Sequence, residues 1–407
     1  METLKLKEDL FWIGILDPDL RIFDIVMETK YGTSYNSYIL KGSEKTAIFE
    51  TAKLKFFDTY LKKLEQLINI QKIDYIIMNH TEPDHAGSIE KLLEINPDIE
   101  IVGTKTAINF LKNIVNGSFK SRIVDENDTL SLGNKTLHFM RLPNLHWPDT
   151  MYTYVEEDKV LFTCDSFGAH YSFDGVLLSK VTDHEGYWKA LMLYFDDIIS
   201  PFKKFMVKAL DRIKDLDVEM IATGHGPVID TDVQKIKEVY REWCEDMNPN
   251  AGLTVVIPYV SAYGYTKTLA LEIARGISKA GPIEARLFDM VTEDKDEVLR
   301  EMHYADGILF GTPTILGDAL KPIWDLTTSI FAVTHCGKLA SAFGSYGWSG
   351  EAVPNILERL KQLRLRVVDG LKVKFKPGGA DRAAAYEYGY AFGCTLQKKD
   401  NPQKAAN

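Results

Sequence analysis

The sequence predicts an α/β protein of two domains: an N-terminal layered half rich in strands and a C-terminal doubly wound parallel sheet. Three observations carry that prediction. The 407 residues are too many for one ordinary hydrophobic core. Asn248-Pro249-Asn250-Ala251-Gly252 is rich in breakers and divides the chain. Before it, short apolar runs are interspersed with helical stripes; after it, strand and helix alternate regularly. The expected boundaries are 1–250, 251–396 and a polar tail over 397–407.

In the first half, Ser37–Leu40 and Thr46–Phe49 read as neighbouring strands joined by a Gly-Ser turn. Leu61, Leu64 and Leu67 form one stripe of a helix over 56–68. Asp74–Met78 is an apolar run suited to a buried strand. Strands are also expected at Leu137–Leu142, Lys159–Cys164 and Val218–Thr223. Pro201 can open a helix over Phe202–Ile213, and a helix over Val233–Met247 closes this half. In the second half, strands are expected at Leu253–Tyr259, Ala285–Asp289, Gly307–Gly311, Lys338–Gly344 and Arg364–Val373. Helices are expected at Thr266–Ala280, Asp294–His303, Ala319–Phe331, Glu351–Leu363 and Ala383–Thr395.

A net charge of −10 argues against a nucleic-acid or anionic-membrane partner, because phosphate binding needs clustered Lys and Arg. Met1-Glu2-Thr3-Leu4-Lys5 runs straight into charged residues, with no apolar run for a signal segment or a membrane span, so a cytoplasmic location is expected. Cys164, Cys244, Cys336 and Cys394 are far apart. They form no C-x-x-C pair, which argues against a disulfide framework, a zinc ribbon or a cysteine-bound iron–sulfur centre.

The strongest local signal is His80-Thr81-Glu82-Pro83-Asp84-His85, which directly follows the strand at Asp74–Met78. His146, Asp165 and His225 also lie at or just beyond the carboxyl ends of expected strands, the edge where open α/β layers gather ligands. His80, Glu82, Asp84, His85, His146, Asp165 and His225 make four imidazoles and three carboxylates, too many for one metal. Two metals bridged by one carboxylate and a solvent oxygen would use them all. The set lacks a thiolate and is rich in carboxylates, so it suits iron or manganese better than structural zinc. Three carboxylates and a hydroxide would nearly neutralise two divalent ions, which lowers the cost of burying them.

A second constellation lies in the C-terminal half. Ser261-Ala262-Tyr263-Gly264-Tyr265-Thr266 joins a strand to a helix, where hydroxyls, backbone N–H groups and the helix N-terminus can wrap a phosphate. It is neither G-x-G-x-x-G nor G-x-x-x-x-G-K-[ST], which argues against a dinucleotide or a nucleoside triphosphate. Two more loops follow on the same sheet edge: Pro313-Thr314-Ile315-Leu316-Gly317 and Ser345-Tyr346-Gly347-Trp348-Ser349-Gly350. Together they could grip a phosphate, a ribityl chain and a flat ring.

H-x-[HE]-x-D-H after a strand, with His, Asp and His at wider spacing, resembles the metallo-β-lactamase fold. Glu82, where zinc hydrolases of that fold usually have His, resembles the flavodiiron branch. The stretches LHWPD and DSFGAH and the three C-terminal loops are similar to the same family, and the likeness runs to about Thr395. The resemblance implies an αββα metallo-β-lactamase-like sandwich followed by a flavodoxin-like domain. It implies that His80, Glu82 and His146 hold one iron, that Asp84, His85 and His225 hold the other, and that Asp165 bridges them. His170 and Tyr194 would serve beside the open face. The three loops would hold FMN, with Trp348 or Tyr346 against the isoalloxazine; the first loop departs from the Trp-containing phosphate loop of many members. Reduction of dioxygen to water, of nitric oxide to nitrous oxide, or of both is the implied activity. The implied partners are a head-to-tail homodimer or a dimer of dimers, and a separate electron donor: a rubredoxin, a reduced deazaflavin coenzyme or an NAD(P)H-linked reductase. Two other functions share part of this pattern, a metal-dependent hydrolase of the same fold and an FMN electron carrier without di-iron catalysis. Glu82 and the full loop set count against the first, the complete ligand set against the second. His138, His184, His303 and His335 fall outside both constellations and are expected to be structural.

Overall fold

Short apolar segments become largely buried strands, which form two main sheets in the first half of the chain and one in the second. The structure, a computed structural model, describes residues 3–24, 27–245 and 248–398. The chain divides into two units, Met1–Asp246 and Met247–Asn407.

In the first unit the strands that matter most are β1 (Tyr75–Met78), β2 (Thr136–Arg141), β3 (Val160–Cys164) and β4 (Met220–Thr223). β1 lies in a seven-stranded sheet, parallel to Thr46–Phe49 on one side and Glu100–Gly103 on the other. β2, β3 and β4 belong to a five-stranded sheet in the order Thr129–Ser131, β2, Met151–Val155, β3, β4, with β3 and β4 parallel. The inner faces share one core. Trp12, Tyr38, Phe49 and Val102 come from the first sheet, Leu137, Phe139, Phe162 and Ala222 from the second. The Phe49 and Phe162 rings stack at 3.7 Å across the seam. Helices Phe57–Leu67 and Lys105–Val115 cover the outer face of the larger sheet. α1 (His184–Tyr194), Lys203–Ile213 and Val233–Cys244 cover the smaller one. The result is a helix–sheet–sheet–helix sandwich.

The second unit is built on β5 (Leu253–Tyr259), α2 (Tyr265–Ala280), β6 (Gly307–Gly311), β7 (Leu339–Tyr346) and α3 (Gly379–Gln397). The strand order is Ile283–Asp289, β5, β6, β7, Arg366–Val367, with Leu371–Lys374 also paired to β7, and every pairing is parallel. α2 and α3 pack on one face of this sheet and three shorter helices on the other. The carboxyl ends of β5, β6 and β7 therefore share one edge, at the point where the strand order reverses.

Several elements differ from their sequence-based expectation, among them the helix expected over Ala383–Thr395, which spans Gly379–Gln397. β7 runs on to Tyr346, because Leu371–Lys374 supplies a ladder for Phe343–Tyr346. Arg364–Val373 is two strands, Arg366–Val367 and Leu371–Lys374. They are parted near Gly370, where a side chain would strike Val353 and come within 2.7 Å of the Ala342 carbonyl. The helix expected over Ala319–Phe331 spans Lys321–Ser329; Pro322 sits in its first turn and Leu320 before it is extended. The helix expected to reach Met247 is described to Cys244, and Met247 lies outside the described residues. No helix among the described residues is long and apolar enough to cross a membrane.

Candidate metal centre

The carboxyl ends of β1 to β4 deliver polar side chains to one buried place. After β1 the chain passes His80 and enters a single helical turn, Pro83–Ala86, with Pro83 at its start; that turn carries Asp84 and His85. His146 follows β2, Asp165 follows β3 directly, and His225 follows β4. At Gly224, beside His225, a Cβ would come within 2.8 Å of the His85 ring, so only glycine lets β4 end so close to that imidazole.

These residues gather into two groups. In the first, Glu82 Oε2 lies 3.2 Å from His80 Nε2 and 3.1 Å from His146 Nε2. In the second, Asp84 Oδ2 lies 3.2 Å from His225 Nε2, and Asp84 Oδ1 lies 3.6 Å from His85 Nε2. Asp165 joins the groups by turning one oxygen to each. Its Oδ2 is 3.2 Å from His146 Nε2 and 3.4 Å from His80 Nε2, and its Oδ1 is 3.1 Å from His85 Nε2 and 3.4 Å from His225 Nε2. Within each group the donor atoms lie inside the span of a coordination sphere. All four imidazoles present Nε2 to the centre. Asp84 Oδ1 is buried with no hydrogen-bond partner, which a cation would satisfy. The donor set fits a pair of metal ions.

The second unit offers a different kind of place. α2 begins after Gly264, a left-handed position with φ +76° that has no side chain to cap the N–H groups of the first turn. Ser261 Oγ accepts from the Lys267 N–H, and Thr266 Oγ1 is 3.1 Å from Ser345 Oγ, which ties the first loop to the end of β7. Leu316 and Gly317, both left-handed, form the tip of the second loop, closed by a bridge between Ile315 and Asp318. Around this edge Leu316 and Trp348 stand almost fully exposed, Trp348 at 96%, and Tyr263 is largely exposed. Large apolar side chains left in water beside hydroxyl groups and a helix N-terminus fit a flat aromatic cofactor with a phosphate tail.

Comparison with known proteins decides the family. A family model described as ODP family beta lactamase matches residues 33–226, and one described as flavodoxin matches residues 257–389. The flavo-diiron protein FprA2 of Clostridium acetobutylicum is 43% identical over 400 residues, covering 96% of this chain and 99% of that protein. The chain belongs to the flavodiiron family of A-type flavoproteins. An anaerobic nitric oxide reductase flavorubredoxin of Escherichia coli is 32% identical over 415 residues, covering 100% of this chain and 85% of its own. The solved rubredoxin oxygen:oxidoreductase of Desulfovibrio gigas is 25% identical with a TM-score of 0.67, covering 98% and 99% of the two chains. Like other flavodiiron proteins, the chain is an oxidoreductase that joins a metallo-β-lactamase-like unit to a flavodoxin-like one.

Behind the imidazoles stands a layer that the sequence reading did not single out. Asp149 Oδ2 lies 3.2 Å from His80 Nδ1 and accepts from both the N–H and the hydroxyl of Thr81 at 2.8 Å. His225 Nδ1 donates to the Ser34 carbonyl at 2.6 Å. Glu50 and Cys164 crowd behind His85. Burial pushes the Cys164 thiol well up. Such outer partners fix the tautomer and direction of a ligating imidazole. Asp149 was visible inside LHWPD, and Glu50 ends the strand at Thr46–Phe49 on the same edge. The rule that drew attention to the other carboxyl ends would have found it.

The electrostatics favour added positive charge. Burial alone would depress the imidazoles, yet the facing carboxylates outweigh it: His80 and His146 are raised, and His85 is raised to about 10. Burial alone would raise the carboxylates, yet the facing imidazoles hold Glu82, Asp84 and Asp165 down. A pocket that draws protons this strongly exchanges them for metal ions on loading.

His170 and Tyr194 sit beside the two groups. Their rings meet edge to face at 4.8 Å, and His170 is 5.4 Å from the His225 ring. Phe23 stacks on His170 at 4.3 Å, and Thr33 Oγ1 is 3.0 Å from its Nδ1. Burial, with His225 nearby, lowers His170 to about 3 and keeps it neutral. Tyr194 rests on Gly168, where a Cβ would lie 3.1 Å from its ring. His138, His184, His303 and His335 join no candidate metal group among the described residues.

Proposed function

We propose that the two groups hold a pair of iron ions and that the chain reduces dioxygen, nitric oxide or both, using electrons that pass through FMN. Asp165 supports this reading most directly, with one oxygen turned to each group. His80, Glu82 and His146 bind one iron, Asp84, His85 and His225 bind the other, and Asp165 bridges them. A ferrous pair and a reduced FMN together hold the four electrons needed to turn dioxygen into water; coupling two nitric oxides needs two. Asp149 aims His80, and the Ser34 carbonyl aims His225. His170 and Tyr194 line the metal face with Glu82, Asp84, His146, Asp165 and His225, in position to hydrogen-bond a small substrate. Both relatives whose names state an activity act on a diatomic gas: oxygen for the D. gigas enzyme, nitric oxide for the E. coli one.

The loops at Ser261–Thr266, Pro313–Gly317 and Ser345–Gly350 bind FMN, with Trp348 against the isoalloxazine. The working form is a homodimer or a dimer of dimers. Electrons come from a rubredoxin, a reduced deazaflavin coenzyme or an NAD(P)H-linked reductase.

Protein loaded with iron and purified anaerobically is expected to carry about two irons and about one FMN per chain. Stopped-flow mixing of the reduced enzyme with each gas should re-oxidise the flavin. Recovery of zinc alone, or no re-oxidation by either gas, would overturn the reading. Trp348→Ala is expected to shift the flavin absorption spectrum and weaken FMN binding by about 1 kcal/mol or more while iron content holds, since an aromatic stack is worth that much beyond its buried area. An unchanged spectrum would remove Trp348 from the ring.

A further inference from the structure

Two cavities of the first unit meet at the His170–Tyr194 pair. The inner one, about 30 Å³, is the metal face. The outer one, about 130 Å³, lies between α1 and the segment Glu28–Tyr31, and His170 and Tyr194 are the only described residues lining both. The sequence of α1 builds its wall. Ala190, Leu193 and Tyr194 fall at i, i+3 and i+4, one stripe of the helix, and face Thr29 and Tyr31. That wall is mainly apolar. The charged residues around it, among them Glu28, Lys30 and Lys189, are exposed and sit at the outer rim. Leu193, half exposed, stands at the mouth, whereas Ala190, Thr29 and Tyr194 are buried. At the inner end His170 is nine-tenths buried, and its Nε2 has no hydrogen-bond partner.

We propose that this outer cavity is an access passage for diatomic gas, ending at the His170–Tyr194 partition that separates it from the metal face. The inference rests on the reading of the centre as a gas reductase. Its chemistry is that of apolar partition. Along the apolar wall a water molecule forfeits hydrogen bonds, whereas dioxygen or nitric oxide forfeits almost none; His170 Nε2 at the inner end is the polar exception. Apolar cavities of order 150 Å³ stay dry and take up xenon. A space this small admits a diatomic molecule readily and is below the size of pockets that hold larger organic ligands. The passage therefore offers gas an apolar approach towards the metal face along one wall of α1.

Two measurements on the full-length holoenzyme test this. Crystals pressurised with xenon should show it between Ala190 and Tyr31. Leu193→Trp narrows the mouth, and Ala190→Phe fills the interior. Each should lower the second-order constant for re-oxidation by dioxygen about tenfold, with iron content, flavin content and the rate at saturating gas unchanged, the signature of hindered access without altered chemistry. Leu193 is half exposed, so its variant should fold even if Ala190→Phe overpacks the helix. Wild-type re-oxidation constants in a folded Leu193→Trp enzyme, or a cavity without xenon, would overturn the passage. A wild-type holoenzyme that neither gas re-oxidises would instead overturn the function reading. Xenon occupancy would then decide the cavity by itself: bound xenon keeps it as a gas site, and its absence removes it.

Discussion

Asp165→Ala is expected to empty both metal positions at once. The carboxylate is 2% exposed, and each of its oxygens lies within 3.4 Å of two imidazoles, one pair in each group. Removing it takes a donor from both halves and a negative charge from between them. The remaining Glu82 and Asp84 cannot shift to the middle, because each is held by histidines on its own side. Loss of a merely supporting residue costs about 10–100-fold in metal affinity, so loss of the shared donor should exceed about 100-fold per ion. Iron content should fall towards zero and gas reduction with it, while the flavin spectrum is untouched. Asp165→Asn, which keeps the shape and loses the charge, should retain part of the iron. An Asp165→Ala protein that still binds one equivalent of iron tightly would show that the two positions do not depend on a common carboxylate.

Gly389→Ala is expected to destabilise the flavodoxin-like unit, against the sign that helix propensity gives. Gly389 lies inside α3, where alanine should gain up to about 1 kcal/mol. Its neighbours reverse that. A Cβ at Gly389 would strike the Ile273 carbonyl of α2, and one at Gly276 of α2 would strike the Tyr386 carbonyl of α3. Both obstacles are backbone, so the helices must move apart, and Ile273, Ile277 and Phe392 lose packing. Overpacking of this kind costs about 1–3 kcal/mol and more when backbone is the obstacle, so the net loss is about 2 kcal/mol. That corresponds to a fall of roughly 4–8 °C in the melting temperature of a unit this size. Differential scanning calorimetry should show the flavodoxin-like transition moving down while the metal-binding unit keeps its own. A rise in melting temperature would mean that the helices separate at little cost.

Much of the site was legible because it is local. H-x-E-x-D-H occupies six consecutive residues after an apolar run, and a polar residue just beyond a strand's carboxyl end announces itself through that strand. His146, Asp165 and His225 were readable in the same way, and so were the glycine- and hydroxyl-rich loops after β5, β6 and β7. Asp149 was missed because its importance lies in the His80 ring nitrogen it faces, and Glu50 because it comes close to His85 only once the fold has joined residues far apart in the chain. β7 outran its expected end because its partner, Leu371–Lys374, is another segment altogether; the local sequence Ser345-Tyr346-Gly347 reads as a loop.

By itself the sequence pointed to the two units, the strand edges where the candidate groups gather, the residue types of the candidate donor set and the family. Each depends on periodicity, breakers or spacing within a few residues. The tertiary structure alone decided that Asp165 offers one oxygen to each group, that α2 and α3 touch backbone to backbone at Gly276 and Gly389, and that α1 leaves an apolar space against Glu28–Tyr31. The physical reason is common to all three. Donor geometry, close approach and cavities are properties of surfaces brought together from distant parts of a chain, and close packing settles them to fractions of an ångström that no local pattern encodes.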